Sequence, residues 1–187
     1  MAGSENRCEL HRQPDKVSPK GMSMQFEHEH HEATHDLVWK YLAELFEDPY
    51  HDDDNGHFYV AYGSTVLELS VEPYGPEETI VLVTAYCAQG IEPEEDLLLG
   101  LLELNHELPV GAFSLVGRDV FYSHALFGKT LERRNLLGAI AAVATISDDY
   151  DDRIVAKYGG ETALDRIQHT GGRRRRSGLT DTEVTKN

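Results

Sequence analysis

The chain has 187 residues, 40% hydrophobic and 27% charged, with a formal net charge of -16. That length supports one hydrophobic core and is short for two, and its longest apolar stretches, such as "LLLGLLEL" at 97–104, fall far below the roughly 18 residues needed to span a bilayer. Over residues 34–169 there are 8 Lys and Arg against 25 Asp and Glu, a net of -17, so nucleic acid is excluded as a natural partner and a basic or amphipathic polypeptide is electrostatically preferred.

The N-terminus lacks the apolar centre of a signal peptide. Only Cys8 and Cys87 are present, which suits reduced thiols better than a disulfide framework. A cytoplasmic protein is expected, and the acidic balance also serves solubility.

Residues 1–33 mix Pro14, Pro19, Gly3 and Gly21 with charges of both signs and show no period, which predicts a disordered lead-in. In "THDLVWKYLAELFED", Val38, Tyr41, Leu42 and Leu45 recur at helical spacing, with Thr34 available as the N-cap and Pro49 behind the stop. In "HFYVAYGSTVLELSVEPY", Leu67, Leu69 and Val71 alternate with Glu68, Ser70 and Glu72, and Gly63 with Ser64 suits a two-residue turn, so a β-hairpin is expected. "TIVLVTAYCA" is β-branched and apolar on both parities, as befits an interior strand.

"PEEDLLLGLLELNHEL" opens with Pro93 and acids that suit a helix N-terminus, lines up Leu97, Leu101, Leu104 and Leu108, and is closed by Pro109. "GAFSLVGRDVFYSHALFG" predicts a second hairpin, 111–116 and 120–127, reversing around Gly117, Arg118 and Asp119. From about Leu131, residues Leu136, Ile140, Val143, Tyr150 and Ile154 define a long last helix, stopped by "YGG" at 158–160. Beyond it, 170–187 carries four consecutive arginines among small polar residues and predicts a disordered basic tail. The expected domain is therefore 34–169. Its fold class is α+β, with a five-stranded antiparallel sheet in the order α-β-β-β-α-β-β-α.

Several stretches imitate reactive sites. Gly128, Lys129 and Thr130 resemble the end of a phosphate-binding loop, but the position five residues before Gly128 holds Ser123 and the residues between continue a strand. "HDDDNG" at 51–56 resembles a calcium loop; with Gly56 sixth, however, the first and twelfth positions fall on His51 and Tyr62, which supply no carboxylate. His31, Glu32 and His35 fit H-E-x-x-H, the order of zinc peptidases, although the flanking residues are tail-like and no third ligand is indicated. Cys87, with His106 or His124, lacks any feature fixing a thiolate beside its base. "SDDYDDR" at 147–153 reads as a solvated helix face or an acidic rim. No catalytic, cofactor-binding or metal-ligating residue is assigned.

The element order and the wording of "ELNHELPVGAFSLVGRDVFYSHALFG" and "LERRNLLGAIAAVATISDDYDDRIVAKYGG" resemble a YbjN-domain protein, within the group of type III secretion chaperone-like folds, over about residues 34–167. The resemblance implies a twisted antiparallel sheet flanked by helices, frequent pairing as a homodimer, and binding of unfolded client segments, with no catalytic residues to transfer. The expected function is a non-enzymatic protein- or peptide-binding module, chaperone-like or regulatory, with a protein or peptide client and neither nucleic acid nor membrane as partner. A metal-dependent hydrolase built on His31, Glu32 and His35 is the alternative, and a purely structural dimer the third possibility.

Overall fold

A computed structural model of the chain describes residues 26–63 and 65–162. In chain order the elements are α1 (Glu29–Leu45), β1 (Tyr50–Asp52), β2 (His57–Tyr62), β3 (Thr65–Pro73), β4 (Thr79–Ala88), α2 (Glu95–Glu107), β5 (Ala112–Val116), β6 (Asp119–Phe127), a short 3-10 turn (Gly128–Thr130) and α3 (Arg133–Tyr158). The strands form one antiparallel sheet in the order β1-β2-β3-β4-β6-β5.

Strand parity decides what the sheet buries. Phe58, Leu67, Leu69, Val71, Val81, Val83, Ala85, Val120 and Tyr122 share one face, and each is at most 4% exposed. Against them α1 sends Val38 and Leu42, α2 sends Leu97 and Leu101, and α3 sends Leu136, Ile140, Val143 and Ile154. All three helices thus cover the same face, in a two-layer arrangement in which each apolar stripe meets the apolar parity of the strands. Among the described residues no helix covers the opposite face. β4 sits centrally between β3 and β6, as its apolar run predicts, yet its second parity (Ile80, Leu82, Thr84 and Tyr86) is only half-buried by neighbouring side chains of the uncovered face.

Two expectations need correction. The sheet has six strands rather than five, because Tyr50–Asp52 pairs with β2 through Tyr50↔Tyr59, His51↔Phe58 and Asp52↔His57. "HDDDNG" is consequently the end of β1 and a hairpin turn, in which Asp52 accepts from the Asp54 N–H through its side chain and from the Gly56 N–H through its carbonyl, while Gly56 adopts φ 72. The helix also starts earlier than Thr34. His28 is the N-cap, its ring accepting from the His31 N–H at 3.1 Å, and Thr34 lies buried in mid-helix. Of the expected N-terminal tail, residues 1–25 lie outside the described residues, and from Glu29 onward it is helix. The expected basic tail at 170–187 lies wholly outside them.

Candidate binding face

Three of the motifs that imitate reactive sites, around His31 and His35, Gly128 and Cys87, are used for packing, whereas "HDDDNG" forms a turn and Asp148, Asp149 and Asp152 of "SDDYDDR" are exposed on α3. In the HEATH stretch, His31 and His35 are buried while Glu32 points to solvent. His31 Nε2 lies 2.9 Å from the Val71 carbonyl, which can only accept, so Nε2 carries the proton; Nδ1 accepts from the Glu27 N–H at 3.3 Å. Both nitrogens of His31 are therefore committed, leaving no lone pair for a metal. His35 Nε2 meets the Gly56 carbonyl at 3.2 Å, and burial holds its pKa below the ordinary imidazole value. Among the described residues no group of three or more His, Cys, Asp or Glu is arranged to hold a metal ion.

Gly128 marks a tight helix–sheet contact. A Cβ there would collide with Thr79 Oγ1 and crowd Thr34, whose hydroxyls bond each other at 2.8 Å across α1 and β4. Lys129 turns outward, its N–H donating to Glu78 at 3.1 Å and its ammonium 3.5 Å from Glu77. Cys87 is fully buried, and desolvation pushes its thiol far above the ordinary range. His124 stands opposite Val83, four residues along β4 from Cys87, or about 13 Å of strand. His106 is exposed on α2, so no thiolate–imidazole pair forms.

The uncovered sheet face is the candidate surface. Cross-strand registers place Tyr50, Tyr59, Glu68, Thr84, Ser123 and Ala112 in one row across all six strands. Thr84 and Ser123 share a hydroxyl bond of 3.0 Å, and His57 Nδ1 bonds Glu68 Oε1 at 2.7 Å. That bond to the carboxylate raises the His57 pKa, with burial opposing it. Tyr86 packs against Phe121 with ring centroids 4.7 Å apart, and burial pushes its phenol upward. Between these groups lies a shallow trough of about 240 Å³ that also reaches Glu72, Leu82 and Val116. Around it Val66, Val116 and Phe127 are roughly half exposed, at 45%, 51% and 55%.

Charge on this face is one-sided. The six strands contain Asp52, Glu68, Glu72 and Asp119 but neither Lys nor Arg. Arg118, in the β5–β6 turn, is tied to Glu92 at 2.5 Å and to the Gly90 carbonyl at 3.1 Å.

The sheet edges are less open than its face. On β5, Asn105 of α2 donates to the Phe113 carbonyl at 3.0 Å and accepts from the Phe113 N–H at 2.6 Å. One amide thus takes the place of a neighbouring strand, and β1 at the other edge is three residues long. Addition of a client strand at β5 meets Phe113 backbone groups that are already bonded.

The second groove lies on the helical layer between α2 and α3. Its floor is Leu97, Leu101, Leu104 and Ile154, and Arg153 and Lys157 line it, lying 4.8 Å from the Tyr150 ring centre and 4.6 Å from that of Tyr158.

The family described as "T3SS (YopN, CesT) and YbjN peptide-binding chaperone 1" matches residues 32–166. The chain belongs to that peptide-binding chaperone family. No curated protein matches the chain. Membership agrees with the α+β architecture, an antiparallel sheet with helices, and it makes a protein or peptide client the relevant partner of this peptide-binding chaperone domain. No described helix is long and apolar enough to cross a membrane.

Sequence reasoning found the residues of the uncovered face but not its role. The alternation in β3 showed Glu68, Ser70 and Glu72 on the non-core parity, which reads equally as solvated surface. The missing cue was the total absence of Lys and Arg from the strand segments, a signal visible once strand limits are known.

Proposed function

We propose that this protein is a non-enzymatic, cytoplasmic chaperone-like module that holds an extended client segment across the uncovered face of its sheet, selecting segments in which Lys or Arg alternates with aliphatic residues. The supporting observation is the trough around Glu68, Thr84, Tyr86 and Ser123: aromatic and aliphatic flanks, hydroxyl groups in the lining, and acids with no Lys or Arg on the strands, His57 being the imidazole bonded to Glu68. Apolar stems of the client would pack on Tyr86, Phe121 and Val116 while its cations meet Glu72 and, in competition with His57, Glu68, giving area-based affinity with electrostatic selection. The domain is taken as 34–169 and carries no catalytic, cofactor or metal residues in this reading. The homodimer implied by the YbjN resemblance belongs to it as well: Leu98, Leu99 and Leu102, which project from α2 at 41%, 53% and 66% exposure, are the apolar surface that a second copy would cover.

A labelled peptide of alternating arginine and valine tests the client face by fluorescence anisotropy. Binding to the native chain that is lost in Thr84→Lys and weakened in Glu68→Gln, with unchanged circular dichroism, supports the reading. Equal binding by all three chains, or none by the native chain at low salt and high protein concentration, refutes it.

A further inference from the structure

The arginine block at 173–176 is unexplained by a peptide-binding face that lies elsewhere in the chain. We propose that this block docks on the uncovered sheet face of its own chain, so that a client must displace it. The inference rests on the function proposed above and adds regulation of the same surface.

Three observations carry it. The first is reach. The described chain ends at Thr162, directly after Glu161 pairs with Gln89 just beyond β4. Gln89 lies five residues from Thr84, about 17 Å along the strand. Arg173 follows Thr162 by eleven residues, which span up to about 36 Å when extended. The departure point is at the Tyr86 and Phe121 end of the face, so the block reaches the trough with chain to spare.

The second observation is complementarity. Arginines are matched with a sheet face that no described helix covers, whose strands hold four acids and no Lys or Arg, with His57 bonded to one of those acids, Glu68, and whose Tyr86 and Phe121 rings can stack on guanidinium planes. The third is the competing surface. The groove between α2 and α3 is lined by Glu103 and Glu107 but also by Arg153 and Lys157, which lie over its tyrosines, so its charge is balanced where the sheet face holds acids without Lys or Arg. Tethering favours docking within one chain over docking between chains, because a covalent connection of only ten residues raises the block's effective concentration above that supplied by other chains.

The first experiment compares the full native chain with a full chain in which Arg173, Arg174, Arg175 and Arg176 are replaced by serine. Its readout is anisotropy of the labelled arginine–valine peptide. If the block covers the face about nine-tenths of the time, the serine chain binds about tenfold more tightly, and the gap closes in about 0.5 M salt. Equal affinity of the two chains overturns the docking proposal while leaving the client face intact. Binding by neither chain overturns the proposed function itself.

The second experiment places a nitroxide on Ser177→Cys in a Cys8→Ser background. Broadening of the Thr84, Tyr86 and Phe121 amides that fades in Glu68→Gln/Glu72→Gln is expected. Broadening confined to Leu101 and Ile154 refutes the assignment. So does equal broadening of isotope-labelled, nitroxide-free chains mixed with spin-labelled, unenriched chains, since that result makes the contact intermolecular.

Discussion

Asn105 satisfies both backbone groups that Phe113 turns away from β6, accepting from its N–H at 2.6 Å and donating to its carbonyl at 3.0 Å. A single side chain thereby binds α2 to the sheet and blunts the β5 edge. Asn105→Ala should cost about 1–3 kcal/mol, since the partly buried Phe113 groups lose their partner. It should also speed hydrogen exchange at the Phe113 amide and introduce concentration-dependent association through the freed edge. Asn105→Asp should keep the acceptor but place a carboxylate beside the Phe113 carbonyl, and so destabilise as well. Chemical denaturation and amide exchange measured at two protein concentrations check all three effects.

His57 and His35 should give opposite pH responses. The bond to Glu68 raises the folded His57 pKa above the unfolded value of about 6.5, so its stabilisation is complete below that value and is lost as pH rises through the folded pKa. Burial lowers the folded His35 pKa, so its contribution is present above about 6.5 and is lost as pH falls through the folded pKa. NMR titration should find the two midpoints on either side of 6.5, and Glu68→Gln should move only that of His57 downward. Midpoints that coincide contradict the assignment.

Gly128→Ala should destabilise by about 1–3 kcal/mol, because the new methyl enters the space of the Thr34 and Thr79 side chains. Paired with Thr79→Ala, which removes the nearest obstructing oxygen, it should cost less than the sum of the single changes. Millimolar ATP with magnesium should leave the melting temperature of the native chain unchanged. A double-mutant cycle and thermal melts supply the readings.

Leu102→Glu should separate assembly from folding. Leu102 is 66% exposed, so the substitution should alter the stability of one chain by no more than about 0.5 kcal/mol while converting a dimer to monomer. Light scattering coupled to size exclusion decides the matter, and an unchanged mass would remove this face of α2 from the dimer proposal.

Zinc should neither bind stoichiometrically nor raise the melting temperature, because both nitrogens of His31 are already hydrogen bonded. Isothermal titration of the full chain checks this. Submicromolar binding lost in His31→Ala/His35→Ala would revive the hydrolase alternative.

The sequence by itself determined the long periodic elements. Leucines at helical spacing in "DLLLGLLEL", alternation in "TVLELSVEP" and glycine at the two hairpin turns constrain neighbouring residues, and local patterns suffice because a helix or strand buries whichever side its own period makes apolar. Strand β1 escaped because three residues cannot establish a period, and Tyr-His-Asp carries no β-branched residue. The early start of α1 escaped because His28 caps it in place of the usual Ser, Thr, Asp or Asn.

Tertiary structure alone decided which polar motifs are spent inside the fold. His31 and Val71 are forty residues apart, Thr34 and Thr79 forty-five, and Asn105 meets Phe113 across a turn from helix to strand. Such bonds depend on how the layers stack, which short-range periodicity does not encode. Placing all three described helices on one side likewise left the acidic and aromatic parity of six strands uncovered by any described helix, where it forms a surface no single segment announces.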